Sequence, residues 1–344
     1  MQEASFRSRV LSVDPQRPQA AVLEEARRVL VRGGLVAFPT ETVYGLGARA
    51  LDEEAIRRVF AAKGRPTQHP LIAHVQGEAQ ARSLARFWPE AASRLSRALW
   101  PGPLTLVVDR APHVPPSVAG GSDSIAVRAP AHAVAQGLIG ALGEPIAAPS
   151  ANRYQGVSPT TAQHVARQLG DKVDLLLDSG PCQTGIESTV VDVRSAPARV
   201  LRPGAVDMAT LRALIPGIVA DREPVASERH RVAPGMGARH YAPRARLLLA
   251  ASCEAACRAA NALAMEGAPV GLVVYDPPGA PALADNVLVH TLARDPAQYA
   301  QRLYGTLHEL DEAGAVVIVA QRVPADESWW AIADRLQRGS SLGP

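Results

Sequence analysis

Leu35-Val36-Ala37-Phe38 is an unbroken apolar run that stops at Pro39 and opens into Thr40-Glu41-Thr42-Val43-Tyr44-Gly45-Leu46-Gly47. The run predicts a short buried strand. The residues after Pro39 predict a polar, glycine-rich turn whose amides and hydroxyls can face a ligand. Upstream, Ala21, Leu23, Val29 and Leu30 recur at helical spacing, so residues 20–32 read as an amphipathic helix stopped by Gly33 and Gly34. Downstream, a helix over 53–62 delivers Lys63-Gly64-Arg65-Pro66 at its C-terminal end, and Pro70 introduces a second buried strand over 71–75. Further strands are expected at 105–109, 125–128, 146–148, 175–178 and 189–193, with helices between some of them. The alternation lacks a strict βαβ period, which points to an α/β fold with a mixed, twisted sheet rather than a regular parallel barrel.

From about 207 to 244 the pattern dissolves into Pro, Arg and small residues, as in Asp221-Arg222-Glu223-Pro224 and Ala233-Pro234-Gly235-Met236-Gly237, and reads as a linker. A new cycle then begins, with strands at 247–250, 270–275, 287–292 and 316–320 and helices at 252–266 and 296–312. That order predicts a smaller, Rossmann-like three-layer α/β domain without a phosphate-loop fingerprint. The expected division is therefore an N-terminal domain over 1–206, a linker over 207–244 and a C-terminal domain over 245–344.

The 344 residues are 47% hydrophobic and 20% charged, enough apolar material for more than one core. A formal net charge of +3 carries no dense basic tract, so nucleic-acid binding is allowed rather than demanded. Cys182, Cys253 and Cys257 form no CxxC pair, and they suggest reduced thiols rather than a disulfide framework or a zinc site. The N-terminal stretch has no apolar core of signal-peptide length, and no later run approaches the roughly 20 residues of a membrane helix. A cytoplasmic protein without membrane contact is expected.

Lys63 and Arg65 stand two apart across a glycine and just before a proline, an arrangement that can aim both cations into one cleft and suits a polyphosphate. The competing reading is a solvated pair at a helix C-terminus, where cations are favoured anyway. Ser150-Ala151-Asn152 follows an apolar strand, at the kind of strand end where α/β proteins hold ligands. Ser158-Pro159-Thr160-Thr161 reads as a helix start that also offers amides to an anion. Glu187-Ser188-Thr189 places polar groups at the mouth of another strand, and Arg128 and Arg202-Pro203-Gly204 supply further cations that could equally be surface or ion-pair residues. His74, at a strand end, reads by itself as a satisfied core histidine. The chain offers no GxSxG elbow, no Cys/His pairing, no HExxH and no Walker loop. Covalent catalysis is disfavoured, and a reaction governed by positioning and charge stabilisation fits better.

Read together, the segments resemble the YrdC-like family in its long, two-domain form, the threonylcarbamoyl-AMP synthases. The resemblance rests on Phe38 to Gly47, Lys63-Gly64-Arg65-Pro66 with His69-Pro70-Leu71, Trp100-Pro101-Gly102-Pro103-Leu104-Thr105 and Ala126-Val127-Arg128-Ala129-Pro130. It continues through Ala148-Pro149-Ser150-Ala151-Asn152, Gly185-Ile186-Glu187-Ser188-Thr189-Val190 and Leu201-Arg202-Pro203-Gly204. Ala233-Pro234-Gly235-Met236 with Arg239-His240-Tyr241-Ala242-Pro243 is similar to the segment that distinguishes the long form.

The resemblance implies that L-threonine, bicarbonate and ATP give threonylcarbamoyl-AMP and pyrophosphate, with Mg²⁺ on the phosphates. That product would serve modification of the adenosine beside a tRNA anticodon and pass to a downstream tRNA threonylcarbamoyl transferase. Thr40, His74, Ser124, Arg128 and Ser188 are then expected around threonine, with Arg128 orienting a carboxylate or phosphate. Lys63 and Arg65 are expected to be catalytic and to face the phosphates. Ser150, Asn152, Ser158 and Arg202 are expected on the nucleotide, with Tyr44 as a lining residue. Arg239, His240 and Tyr241 are expected to close over the cleft from the linker and exclude water. An alternative of a different class is an RNA-binding module with a concave basic surface, or a weak RNA contact by the enzyme. Aromatic residues at 4% and scattered Lys and Arg give it little support. A related carbamoyl transferase acting on another small substrate is a further alternative.

Overall fold

The computed structural model describes residues 9–220, 240–275 and 282–340. They fall into two compact units. Unit 1 is built from the chain up to Tyr154, from Ser158–Gln183 and from Glu187 onward; unit 2 takes Gln155–Val157, Thr184–Ile186 and the C-terminal part from Ala238.

In chain order, unit 1 contains β1 (Arg9–Ser12), α1 (Ala20–Val31), β2 (Val36–Phe38), β3 (Gly45–Arg49), α2 (Glu53–Lys63), β4 (Ile72–His74), α3 (Glu78–Leu84), α4 (Glu90–Leu99) and β5 (Leu104–Asp109). It continues with β6 (Ser124–Arg128), α5 (Ala133–Leu142), β7 (Ile146–Ala147), α6 (Ala162–Leu169), β8 (Leu175–Asp178), β9 (Thr189–Asp192), β10 (Arg199–Arg202), α7 (Met208–Leu214) and β11 (Val219–Ala220). The strands form a mixed sheet in the order β1-β8-β2-β3-β7-β4-β6-β5-β9-β10-β11. The apolar spacing read from the sequence has its physical outcome here: Leu23, Val29 and Leu30 of α1 join Val134, Leu138 and Ile139 of α5 over Val36, Phe38, Leu175 and Leu177 of the sheet. Each such buried aliphatic side chain contributes about 1.5–3 kcal/mol.

Two expectations change. The glycine-rich stretch after Tyr44 is a strand, β3, antiparallel to β2, with Gly45 opposite Phe38 and Gly47 opposite Val36. Gly47 is there for close approach, because a Cβ would lie 2.7 Å from Phe38 Cε1 and 2.9 Å from Ile146 Cγ2. The linker expected over 207–244 begins instead with ordered elements of unit 1. Asp207 caps α7 by accepting from the Thr210 amide at 2.7 Å, and β11 pairs in parallel with β10. The stretch 221–239 lies outside the described residues.

Unit 2 holds β12 (Arg246–Ala250), α8 (Cys253–Ala264), β13 (Val270–Val274), β14 (Val287–Thr291), α9 (Pro296–Glu312), β15 (Val317–Gln321) and α10 (Trp330–Ser340). Its sheet is parallel throughout, in the order β12-β15-β13-β14. Small residues on α8, namely Ala256, Cys257 and Ala260, sit against Leu272, Val274 and Val319, which lets helix and sheet approach closely. No helix among the described residues is long and apolar enough to cross a membrane.

Candidate active site

α2 is capped by Asp52, which accepts from the amides of Glu54 and Ala55 at 3.1 and 3.0 Å, and it buries Ile56, Val59 and Phe60. Those contacts fix where its last residue points. Gly64 then turns left-handed at φ 64°, and the Arg65 amide returns to Phe60 O at 3.0 Å. Lys63 and Arg65 end up 4% and 8% exposed, which sets aside the solvated pair. Lys63 Nζ donates to the carbonyls of Ser150 and Asn152 at 2.5 Å each, and Asn152 Oδ1 stands at 3.5 Å. Arg65 Nη2 donates to Pro70 O at 2.8 Å. Burial first, then the neighbouring Arg65 charge, holds the Lys63 ammonium well below the ordinary lysine value. The loop before β3 is knitted to the same place, since the Ala151 amide donates to Tyr44 O at 2.8 Å and the Tyr44 amide to Pro159 O at 2.9 Å. Lys63, Ser150 and Asn152, chosen from separate stretches of sequence, therefore meet.

A second cluster gathers around Arg128 at the end of β6. β4 pairs with β6 in parallel, and that register sets His74 beside Arg128. The guanidinium donates from Nη1 to Thr42 Oγ1 at 2.9 Å and from Nε to Gly102 O at 3.3 Å, while Nη2 stands 2.8 Å from Glu41 Oε1. Thr40 Oγ1 closes the loop on itself by donating to Val43 O at 2.6 Å, with Thr42 Oγ1 2.8 Å away. His74 is buried, with Phe38 edge-on to its ring and Nδ1 3.3 Å from Ile72 O. Burial, and after it the Arg128 charge, lowers the imidazole from 6.5 to about 3, so the ring is neutral in ordinary buffers. For Glu41, burial works to raise the carboxyl; Arg128, with nearby backbone amides, more than reverses this and leaves it below its ordinary value.

A third cluster lies where β5, β9 and β10 run side by side. Ser188 is fully buried, with Thr105 Oγ1 2.8 Å from its Oγ. Arg202 donates from Nη2 to Ser188 O and Oγ at 3.0 and 3.1 Å, and from Nε to Ser188 O at 3.2 Å. Ser158 Oγ donates to Oε1 of the neighbouring Glu187 at 2.5 Å. Gly204 makes this packing workable: a Cβ there would lie 2.4 Å from Ser188 C and Thr189 N.

Ser124 opens the five-residue β6 that Arg128 closes, about 13 Å away along the strand, and its Oγ lies 2.9 Å from Ser122 Oγ. It is not brought to the Arg128 cluster. His240 and Tyr241 belong to unit 2, where the buried Tyr241 ring stacks on Tyr304 at 5.9 Å under the Arg335 guanidinium at 4.7 Å. Arg239 lies outside the described residues. Tyr44 is fully buried and donates to Gly180 O at 2.7 Å. Sequence reasoning gave no site role to Glu41, Thr42 or Thr105, and it placed Glu187 at a strand mouth without assigning its carboxylate a task. The signal for the first two was their place between Thr40 and Tyr44, in the turn already singled out for ligand contact.

Cys182, Cys253 and Cys257 are free and buried, and burial pushes the Cys182 thiol far above its ordinary value, leaving it protonated. Among the described residues no group of three or more His, Cys, Asp or Glu could hold a metal ion. Acid stability gives a direct check on the second cluster. His74 is held down at about 3 in the folded chain against 6.5 unfolded, so the unfolded chain binds the extra proton, and stability is lost as pH falls through 6.5 towards 3. His132, also lowered by burial, adds in the same direction. From about pH 6.5 down to the ordinary carboxylate range the carboxylates stay ionised, so chemical unfolding across that interval should show this slope, and His74→Gln should flatten it.

Comparison with known proteins identifies the family. The Sua5_yciO_yrdC family, described as Telomere recombination, matches residues 28–204, and the threonylcarbamoyl-AMP synthase C-terminal domain matches 206–341. The threonylcarbamoyl-AMP synthase of Pyrococcus abyssi is 39% identical over 90% of this chain and 91% of its own length. That of Bacillus subtilis is 36% identical over 95% and 93%. The crystal structure of P. abyssi Sua5 complexed with L-threonine superposes with a TM-score of 0.89 at 37% identity, covering 96% of this chain and 97% of the other. With both of its parts matched and relatives aligned over most of its length, the chain belongs to the two-domain Sua5/YciO/YrdC family of threonylcarbamoyl-AMP synthases.

Proposed function

We propose that this protein is an enzyme that condenses L-threonine, bicarbonate and ATP into threonylcarbamoyl-AMP with release of pyrophosphate and water, a nucleotidyl transfer. The observation that carries the reading is Lys63, a buried ammonium held by the carbonyls of Ser150 and Asn152 beside Arg65, which a triphosphate would complement. Arg128, neutral His74 and the Thr40–Thr42 loop suit the amino acid. Arg202 and Ser188 form a rigid polar wall, and the Lys63 and Arg65 charges favour the phosphates as pyrophosphate departs. The nucleophile is the carbamate oxygen of the carboxylated threonine, so none is asked of the chain, in keeping with a protonated Cys182. Mg²⁺ fits as part of the substrate. Glu41 faces Arg128 and Glu187 accepts a hydrogen bond from the Ser158 hydroxyl, and among the described residues no all-protein cage competes with phosphate oxygens for a hard cation. When present it would neutralise phosphate charge.

Cytoplasmic location, nucleotide contact by Ser158, Arg239, His240 and Tyr241, and delivery of the product to a tRNA-modifying transferase belong to the same reading. The purified chain with threonine, bicarbonate, MgATP and pyrophosphatase should yield threonylcarbamoyl-AMP by mass spectrometry. Robust ATP turnover that ignores threonine would remove the proposal.

A further inference from the structure

Glu41 is 7% exposed, in the middle of the Thr40–Thr42 loop, and faces the 3% exposed Arg128 across 2.8 Å. The pair is close but not aligned: neither Glu41 oxygen makes a well-directed hydrogen bond to Arg128 Nη2, and the backbone amides near the carboxylate, those of Ala131 and of Glu41 itself, do not meet that geometry either. A buried pair held only for stability gains most when both members direct their hydrogen-bonding capacity at each other. Here the other guanidinium nitrogens are fixed from two sides, Nη1 by Thr42 and Nε by Gly102, while the Nη2 hydrogens remain uncommitted. A guanidinium has five N–H donors in a rigid fork, so an arginine anchored this way keeps a free edge for an incoming carboxylate.

We infer that Glu41 is a positioning residue for the amino-acid subsite: it keeps the Arg128 guanidinium fixed and charge-balanced inside the protein, with its Nη2 edge presented to the substrate carboxylate. The inference rests on the reading of Arg128 as the group that receives threonine. Glu41 itself touches no reacting atom. It shares a short loop with Thr42, which holds the same guanidinium, so one segment sets both the charge and the angle of Arg128.

The test uses the full chain, with calorimetric titration of L-threonine and, separately, of a non-hydrolysable ATP analogue. Glu41→Gln should weaken threonine binding about tenfold or more, the cost of a misplaced positioning group, while affinity for the ATP analogue stays within about twofold. In Arg128→Gln the same Glu41 substitution should cause no further loss, because the residue acts through Arg128. If Glu41→Gln does not fold, Glu41→Asp, which keeps the charge but withdraws it by one methylene, should raise the threonine KM and leave kcat near wild type at saturating threonine. Unchanged threonine affinity in the folded variant, additive losses in the double variant, or an equal loss of ATP-analogue affinity would each overturn the inference. Failure of the wild-type chain to bind threonine at all would overturn the functional reading instead.

Discussion

Lys63→Met is expected to cut the rate of product formation by about 10²–10³-fold, the usual cost of deleting one preorganised charge at a reacting centre. The side chain stays unbranched, one atom shorter, and loses its ammonium, so the effect reads charge more than space. A second readout separates this from simple damage. The folded-state value of Lys63 lies well below 10.5, so between the two the unfolded chain binds more protons than the native one. Stability of the ligand-free protein must then rise with pH across that interval and level off at about 10.5. Denaturant unfolding over a pH series should show the rise in wild type, a flatter profile in Lys63→Met, and a flatter profile again in wild type with MgATP, whose phosphates would supply the missing counter-charge. A variant with near-normal turnover would show that Lys63 does not face the triphosphate, and one with an unaltered alkaline profile would show that burial does not hold its ammonium down.

Gly204→Ala is expected to cost about 1–3 kcal/mol of stability, the usual effect of overpacking, and to depress activity beyond what lost folding explains. The added methyl would meet Ser188 C and Thr189 N at 2.4 Å and Glu187 O at 2.5 Å, all backbone atoms that no side-chain rotation can clear. Any relief must move the stretch that presents Ser188 to Arg202 and Thr105, and Glu187 to Ser158. Activity at a temperature where the variant is fully folded, set against its unfolding midpoint, checks this. Wild-type turnover from a merely less stable protein would mean that the Ser188 wall is packing alone.

The strand ahead of Pro39 and the α1 spacing could be anticipated from sequence, because each is a local pattern with a local cause, whereas the meeting of Lys63 with Ser150 and Asn152, nearly ninety residues on, was to be expected only from the family resemblance. β3 escaped for a physical reason. Gly45 and Gly47 look like turn residues in isolation, and only the neighbouring Phe38 and Ile146 side chains reveal that they permit close strand contact. α7 carried a readable cap in Asp207, yet it was absorbed into a proline-rich stretch that swamped a seven-residue helix. Ser124 was expected around threonine through the family resemblance alone, whereas the extended strand β6 carries it about 13 Å from Arg128. Glu41 was hidden by the reverse effect: its partner lies far along the chain, and no short motif announces a pair that only β4, β6 and the preceding loop bring together.

Unit 2 is threaded by the chain in three pieces, with Gln155–Val157 and Thr184–Ile186 far upstream of the rest. Gly185 lies so near α9 that a Cβ would fall 2.5 Å from Gln301 Cα, and the Ala242 amide reaches back to Gln155 O at 2.9 Å. A ribosome that has made the first two pieces must therefore wait for the last before this unit can close, and a gene fragment opening at residue 245 encodes an incomplete object. Its boundaries are a matter of assembly order, and no single cut in the DNA corresponds to them.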